Sequence, residues 1–490
     1  GKPLPGAHIL LKGTYLVTSS RSDGSFSLTK VKPGTYNLKV SYVGFQDETK
    51  EITVDHNVKV NFSLEPGIIM QDEVVVRATR LGNETPTNST LVKGEEIQDV
   101  NDARDIPFLI GLTPSLVTSS DAGTGIGYTS MRLRGVDPSR INVTLNGIPL
   151  NDAESQSVFW VNMPDLASSI DNIQIQRGVG TSTNGSAAFG GSVNIKTNSL
   201  NSDPYRTILS SAGSFRTFRN TLTFGTGLIK GRWTIDGRLS KITSDGYIDR
   251  GFSDLKSFYI SSGYFSETTL IRFNILSGKE KTYQSWAGIP KDSLKTNRTY
   301  NPFTYENQTD NYQQDHYQAF LSQSINQELV MNLGLHYTYG RGYYEEYQDQ
   351  SDPFAATSLS HYGLDTLFIG GDTITNTDLI RQKWLDNDFY GITWSFNYKP
   401  TSWEIIFGGF WNTYLGRAFG EIIWAKYASN SFKGDRWYEN TSNKQDYNIF
   451  TKAKYYLNDN LNFFGDIQYR YIDYKIDGTE DAFGDVTQRH

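Results

Sequence analysis

Residues 201–490 repeat one pattern, in which apolar and polar side chains alternate along segments of about ten residues. In the stretch 390–399 the even-numbered positions are aromatic or aliphatic, whereas the odd-numbered positions are small or polar. The stretches 331–340 and 233–240 alternate in the same manner. A period of two indicates a β-strand with two unlike faces, and about ten residues let a tilted strand cross a bilayer. The pattern therefore predicts an antiparallel transmembrane β-barrel.

The connections between these segments fall into two classes of length. The short ones are 229–231, 266–268, 326–328, 400–402 and 458–460. The long ones cover 280–312, 346–386 and 416–444. Outer-membrane barrels combine short periplasmic turns with long extracellular loops, and the alternation here gives about eleven strands. Single-chain bacterial barrels have even numbers of strands, and large ones have about 22, so we expect the N-terminal half of such a barrel in a C-terminally truncated chain.

Composition agrees with a membrane barrel and narrows the possible chemistry. Tyr, Phe and Trp number 30, 27 and 9, and membrane barrels place aromatic residues in girdles at both interfaces. The sequence has no apolar run of about 18 residues, so no helical membrane span is predicted. It has no cysteine, which excludes disulfides and thiol catalysis. A net charge of −7 without a basic tract argues against a nucleic-acid partner.

Residues 1–66 are predicted to form a small β-sandwich, because short apolar runs alternate there with turn signals. The runs are His8–Leu11, Phe26–Leu28, Tyr36–Val43 and Val58–Leu64. Asp23-Gly24 and Pro33-Gly34 favour turns, since glycine adopts positive φ and proline presets φ. The strings GKPLPGAHILLKGT and SDGSFSLTKVKPGTYNLKVSYVGFQ resemble the carboxypeptidase-regulatory-like domain. That family carries no peptidase chemistry and often precedes outer-membrane receptors of the Bacteroidetes type.

Residues 67–80 form a predicted linker that contains the string QDEVVVRATR. Three consecutive valines between charges predict a short extended segment that can add itself to the sheet of another protein. The alternative interpretation is an ordinary last strand or a plain linker. The string resembles the TonB box of TonB-dependent receptors, here Glu73, Val74, Val75, Val76, Arg77 and Ala78. The resemblance implies that the energy-transducing TonB complex of the inner membrane pairs with this segment.

Residues 81–200 are predicted to be a mixed α/β domain with tight turns at Asp137-Pro138-Ser139 and Asn146-Gly147. Four strings resemble the plug domain of TonB-dependent receptors: RLRG at 132–135, LNGIPLND at 145–152, IQIQRGVGT at 173–181 and AAFGGSVNIKT at 187–197. They cover most of the segment in the order of the family. The chain thus resembles a Bacteroidetes-type TonB-dependent outer-membrane receptor. The expected fold class is mainly β, with a β-sandwich, an α/β plug domain and a partial antiparallel transmembrane β-barrel over residues 201–490.

The resemblance implies active import of a scarce nutrient across the outer membrane by substrate binding and plug gating. An iron–siderophore complex is the expected substrate, and cobalamin or a glycan or peptide of SusC-like importers are alternatives. The SusC type usually has YGSRAANGV where this chain has NGSAAFGGSV. Expected partners are TonB, the small chelate, outer-membrane lipids and a surface lipoprotein. The sandwich and plug are expected on the periplasmic side of the outer membrane.

No catalytic arrangement is predicted, because the six histidines are scattered without metal-ligand spacing. The chain is therefore expected to be neither an enzyme nor a holder of a cofactor or metal. A passive porin or adhesin barrel is an alternative, although it leaves the plug strings and Val74–Val76 unexplained. A soluble β-rich sugar-binding or hydrolytic protein is a further alternative suggested by the aromatic residues.

Two groups of residues are candidates for the site. Arg134 and Arg177 each precede a glycine, and the family resemblance implies that they lock the plug to barrel carboxylates. The plug loops 121–128 and 153–160 and the barrel loops are expected to meet the substrate. The substrate-binding candidates are Tyr128, Phe159, Trp160, Tyr283, Trp286, Tyr343 and Tyr344. Their alternative roles are capping or solvent-facing arginines, wall packing and membrane-girdle aromatics.

Overall fold

The computed structural model describes residues 3–489 except 5, 13, 15, 22, 42–47, 65–88, 179–187, 198–200, 267, 327, 353–354, 401, 459–460 and 482–485. The chain divides into two compact units, residues 1–72 with 265–269 and residues 73–264 with 270–490. The predicted TonB box Glu73–Ala78 lies outside the described residues. Among the residues that are described, no helix is long and apolar enough to span a membrane.

The N-terminal unit contains one antiparallel sheet with the strand order β2-β1-β3-β4. The strands are β1 (His8–Leu11), β2 (Val17–Ser19), β3 (Gly34–Ser41) and β4 (Glu48–Val54). Alternate residues of β1 and β3, including Ile9, Leu11 and Leu38, form its buried core. Phe26 and Phe62 pack against this core from segments that are not assigned as strands. The predicted strands at 26–28 and 58–64 therefore supply core side chains without joining the described sheet.

The plug domain, at 89–197 in the second unit, is built on one mixed sheet with the strand order β5-β10-β11-β8-β9. Its strands are β5 (Ser89–Lys93), β6 (Leu116–Ser120), β7 (Thr129–Leu133), β8 (Ile141–Leu145), β9 (Ile148–Pro149), β10 (Ile170–Arg177) and β11 (Gly191–Thr197). Its helices are α1 (Gly94–Val100) and α2 (Ile106–Leu109). β8 and β11 are parallel, whereas β6 and β7 form a separate antiparallel pair.

Both faces of the central plug strands are buried, although only one of them is apolar. Ile173 and Ile175 of β10 enter the apolar core, while Gln176 on the opposite face is equally inaccessible to solvent. In β11, Asn194 is buried beside Thr144, whose hydroxyl donates to it over 2.8 Å. Since buried polar groups must be hydrogen-bonded, this polar face requires matching groups around it.

The second unit also contains a sheet of eleven long strands and a two-residue twelfth within the described part of the chain. They are β12 (Pro204–Gly213), β13 (Thr217–Thr226), β14 (Trp233–Ser244), β15 (Ser253–Phe265), β16 (Thr269–Tyr283), β17 (Thr309–Ser324), β18 (Leu329–Gln348), β21 (Leu379–Tyr398), β22 (Trp403–Ala425), β23 (Arg436–Asn458), β24 (Leu461–Gly478) and β25 (Gln488–Arg489). Neighbouring strands of this sheet pair antiparallel among the described residues, as in β17 with β18 and β22 with β23. A small hairpin, β19 (Leu367–Ile369) with β20 (Asp372–Ile374), lies in the connection after β18.

The predicted alternation of faces and of turn lengths is confirmed, but the long connections are shorter than expected. Strands lengthen from 10 residues in β12 and β13 to 23 residues in β22 and β23. Residues 416–425, predicted to be loop, are part of β22. The alternation of apolar and polar residues stops where both faces of a strand contact water, whereas the backbone hydrogen bonds between strands continue beyond that point. Tyr283, Tyr343 and Tyr344 consequently lie on strands and not in loops.

The plug backbone lies close against β16, where a glycine makes room for it. A Cβ atom added to Gly278 would collide with the carbonyl oxygen of Asn162. Asn162 belongs to the 3-10 turn Trp160–Asn162 of the plug. Backbone atoms cannot move aside as the end of a flexible side chain can, so only glycine fits at this position.

Gly278→Ala is expected to lower the free energy of unfolding of the second unit by about 1–3 kcal/mol, because it overpacks this contact. Thermal unfolding followed by circular dichroism measures the change. The control is Gly465→Ala on β24, where an added Cβ has no atom within 4 Å. Equal unfolding temperatures for both variants would contradict the close approach at Asn162.

Candidate functional site

A single plug carboxylate, that of Asp165, is held by the first strands of the sheet. Its side chain is 0% exposed and lies 3.5 Å from Nη1 of Arg219 on β13. The hydroxyls of Thr221 and Ser240 each donate to its Oδ2 over 2.6 Å. Ser168 of the plug donates to Oδ1 over 2.7 Å. The backbone at Asp165 has φ 54°, a left-handed conformation that aspartate tolerates better than most residues.

The backbone around this carboxylate is held as well. Arg238 of β14 donates through Nη1 to the carbonyl oxygen of Asp165 and through Nη2 to that of Pro164 over 3.3 Å. The hydroxyl of Ser257 on β15 also donates to the Pro164 oxygen, over 2.6 Å. Three adjacent strands therefore grip one plug turn, which we call the polar dock.

The polar dock is strong but incompletely satisfied. The Nε atoms of Arg219 and Arg238 are buried and have no hydrogen-bond partner among the described residues. Charge-assisted hydrogen bonds out of water are strong, yet buried charges also carry a large desolvation penalty. An interface of this kind holds a domain in place and can still exchange its partners for water when the domain is displaced.

A second polar contact joins the edge of the plug sheet to β15, β16 and β17. Arg272 donates to the hydroxyl of Thr197 over 2.7 Å, and the Tyr259 hydroxyl donates to the same atom over 3.1 Å. Asn146, in the tight turn after β8, donates to Gln318 over 3.0 Å. Both contacts link plug residues to inward-facing barrel residues, so polar groups help to hold the plug beside the apolar contacts such as that of Ile148 with Phe320.

The two arginines predicted to lock the plug lie beside each other. Arg134 is exposed with φ 55°, and its Nη1 lies near Gly178, directly after Arg177. The Nε atom of Arg177 is buried without a hydrogen-bond partner in the described part of the chain. Neither arginine forms an ion pair with a described carboxylate, and their lock stays a prediction. In the polar dock the charges are reversed, with the carboxylate on the plug.

The sequence contains a pattern that indicates the polar dock, although none of the predicted site residues belongs to it. Three buried arginines lie at inward-facing positions of β13, β14 and β16, namely Arg219, Arg238 and Arg272. In a barrel with an empty lumen, arginines at such positions would be in contact with water and would not be buried. An inward arginine indicates a partner inside the sheet. The identity of the partner, Asp165, did not follow, because no local pattern connects residues so far apart in the chain.

Three of the predicted substrate residues meet in one aromatic cluster. The rings of Tyr128 and Trp286 are 5.3 Å apart, and those of Trp286 and Tyr344 are 5.5 Å apart, both edge to face. Tyr128 comes from the plug, Trp286 from the connection after β16 and Tyr344 from β18. Trp286 is 37% exposed, so the cluster offers an accessible aromatic surface. Nζ of Lys383 lies 5.8 Å from the Tyr344 ring centre.

The plug side of the aromatic cluster rests on buried carboxylates. The Tyr128 hydroxyl donates to the carboxylate of Asp310, and Glu280 is buried nearby with a hydrogen bond from Thr282 over 3.0 Å. In the plug, burial raises the pKa of Asp105 to about 7, while a hydrogen bond from the Thr129 hydroxyl opposes the shift. The cluster therefore combines an aromatic face with acidic support.

The other predicted substrate residues have different surroundings. Trp160 is 3% exposed and belongs to the apolar core of the plug, whereas Phe159 is 41% exposed. Tyr283 is buried and donates through its hydroxyl to the carbonyl oxygens of Phe303 and Tyr305, over 3.1 and 2.7 Å. Tyr343 stands on the face opposite to Tyr344, with its ring 4.5 Å from that of Trp384.

The plug loop 153–160 reaches strands on the far side of the sheet. Tyr414 of β22 and Tyr474 of β24 donate to the carboxylate of Glu154 over 3.1 and 3.3 Å. Nζ of Lys444 on β23 donates to the carbonyl oxygen of Ala153 over 2.6 Å. The plug is thus tied to early and late strands by separate polar contacts.

Two family models match the chain in succession. The CarboxypepD_reg-like domain matches residues 1–76, and the TonB-dependent Receptor Plug Domain matches residues 82–192. TonB-dependent receptor P39 of Formosa agariphila is 37% identical over 76 residues, which are 16% of this chain and 7% of that protein. TonB-dependent receptor SusC of Bacteroides thetaiotaomicron is 27% identical over 136 residues, which are 28% of this chain and 13% of that protein.

Solved structures share the fold of the plug and sheet. The ferric yersiniabactin uptake receptor FyuA of Yersinia pestis has a TM-score of 0.59 at 12% identity, covering 82% of this chain and 60% of that one. The copper transporter OprC has a TM-score of 0.62 at 12% identity, covering 83% and 61%. The chain spans about 60% of the solved structures and a far smaller share of the curated relatives that it matches. From its two domains and their relatives, the chain belongs to the TonB-dependent receptors of the Bacteroidetes type.

Proposed function

We propose that this receptor imports a nutrient across the outer membrane by energy-coupled displacement of its plug. The polar dock is the observation that carries this proposal, since a domain that must leave its seat is better held by exchangeable polar contacts than by an apolar core. TonB would supply the pull through the segment Glu73–Ala78, and the sandwich and plug would face the periplasm. The chain would act as a transporter and not as an enzyme.

We propose that the aromatic cluster is the first contact for the substrate. It joins plug and barrel residues, so a ligand that stacks on Trp286 also touches Tyr128 of the plug and Tyr344 of the wall. Tyr128 is in turn hydrogen-bonded to Asp310, which gives the plug a direct connection to the occupied site. Binding there can therefore change how the plug is seated.

An iron–siderophore complex is the first substrate to test, as the plug strings favour that class of receptor. A glycan or peptide is the second candidate, supported by the match to SusC over 136 residues and by an aromatic surface backed by carboxylates. Planar aromatic side chains stack on both chelate rings and sugar rings, so the cluster by itself suits either class. Cobalamin is the remaining candidate of the same transport class.

Asp165→Asn is expected to weaken plug seating by about 3–5 kcal/mol, because it leaves the buried Arg219 without its carboxylate partner. The expected result is ion conductance through the full-length receptor in planar bilayers without TonB. The control is Asp171→Asn, which removes a plug ion pair with Lys196 (3.2 Å) that does not involve the barrel. An Asp165→Asn variant as tightly closed as wild type would contradict the gating role of the polar dock.

Trp286→Ala is expected to raise the apparent Kd for the substrate by about tenfold, the cost of losing one or two ring contacts. Uptake is measured in a deletion strain with iron-55 siderophore complexes, labelled cobalamin and labelled oligosaccharides. Tyr343→Ala, which removes an aromatic residue from the opposite face of β18, is the control. Unchanged uptake of all three substrate classes in Trp286→Ala would exclude the aromatic cluster as the binding surface.

Val75→Pro is expected to abolish uptake while leaving barrel assembly intact, because proline removes a backbone donor from the segment that pairs with TonB. Uptake and surface abundance are measured in the same cells. Val75→Ile keeps the donor and the strand propensity and should transport normally. Normal uptake by Val75→Pro would favour a passive channel over an energy-coupled receptor.

A further inference from the structure

The outer wall of the sheet carries a recess of about 670 Å³ across β12–β17, which we call the outer recess. The inward face of these strands is identified by Thr221, Ser240 and Ser257, whose hydroxyls bind the plug turn. Neighbouring residues in a strand point to opposite faces, so the residues next to these hydroxyls face away from the plug. Most of the residues that line the outer recess have this outward position, although Thr221, Ser240 and Ser257 also border it, so the recess opens on the outer face of the wall.

The floor of the outer recess is apolar and its rim is cationic. Leu222, Leu239 and Phe258 form the floor, and two of them are conspicuously exposed, Leu222 at 37% and Leu239 at 52%. The rim carries Lys241, Lys256 and Lys279 on three successive strands. Among the described residues that line it there is no carboxylate.

The rim lysines lie on one level, at the strand ends away from the short turns. Lys241 lies near the end of β14 at Ser244, Lys256 near the start of β15 at Ser253, and Lys279 near the end of β16. The short turns of such barrels are periplasmic, so this level corresponds to the outer leaflet of the membrane. Each floor residue lies farther from that end, at the depth of the acyl chains.

The rim lysines repel one another, and the described carboxylates neutralise only part of their charge. Lys241 and Lys256 are direct cross-strand partners, and like charges in that position repel each other. Asp254 pairs with Lys241, while Lys256 and Lys279 have no ion-pair partner in the part of the chain that is described. A cationic rim above an apolar floor is complementary to an amphiphile with a multiply charged anionic head.

We propose that the outer recess is a binding site for a phosphorylated lipid of the outer leaflet. The rim lysines hold the phosphate groups, and the apolar floor receives the beginning of the acyl chains. Lysine binds phosphate as a point charge, and a cluster of lysines at a membrane surface attracts anionic lipids. The site lies on the opposite face of the wall from the aromatic cluster, so it does not depend on which solute the receptor carries.

Native mass spectrometry of the full-length receptor in a zwitterionic detergent tests the proposal. The probes are bisphosphorylated lipid A, phosphatidylethanolamine and inorganic phosphate, each added alone. The wild type is expected to retain one lipid A in preference to phosphatidylethanolamine. The triple variant Lys241→Gln, Lys256→Gln and Lys279→Gln should bind it at least about tenfold more weakly.

The matched control is Lys281→Gln, Lys291→Gln and Lys295→Gln, which removes three charges outside the outer recess and should leave lipid A binding unchanged. A floor variant, Leu239→Ala with Phe258→Ala, should also weaken lipid A binding while inorganic phosphate is unaffected. Equal retention by the rim and control variants would overturn the proposal. The proposal would also be overturned if inorganic phosphate alone saturated the outer recess. It would likewise be overturned if a protein, and not a lipid, occupied the outer recess.

Discussion

One buried contact is central to the seating of the plug, that of the Asp165 turn with Arg219, which pairs with its carboxylate, and Arg238, which binds its backbone. Desolvation makes a buried charge unfavourable unless it is paired, so the plug turn and the first strands stabilise each other. The contact also fixes the register of the plug relative to β13, β14 and β15. The remaining polar contacts, at Thr197 and at Glu154, extend the same principle to the other strands.

The polar interface explains an unusual feature of the plug sheet, the burial of both its apolar and its polar face. A domain with a single core would expose Gln176 and Asn194 to water. In this receptor they are buried, and the surrounding wall offers hydroxyl, amide and guanidinium groups as hydrogen-bond partners for the plug. The apolar core thus stabilises the plug, while polar groups such as Asn146 and Thr197 form hydrogen bonds with the surrounding strands.

Much of the architecture could be predicted from the sequence, because it is encoded locally. Alternation of period two marks the strands of the sheet, and four short strings that resemble the family mark the plug. Tyr128, Trp286 and Tyr344 were predicted individually, but their meeting was not, since it depends on how plug and wall are docked. Arg134 and Arg177 were chosen from their neighbours in sequence, whereas the residues that grip the plug are joined only by long-range contacts. The upper ends of the long strands also escaped prediction, because a strand wet on both faces loses its apolar alternation.

Because strand length increases across the sheet, the wall is higher on one side than on the other. At about 3.3 Å per residue, β12 and β13 extend about 33 Å and β22 and β23 about 76 Å, against a hydrocarbon core of about 30 Å. The strands β12 and β13 therefore end close to the membrane surface, while β22 and β23 extend well beyond it. The rim of the described wall is therefore lowest beside the strands that contact Asp165 and highest at β22 and β23.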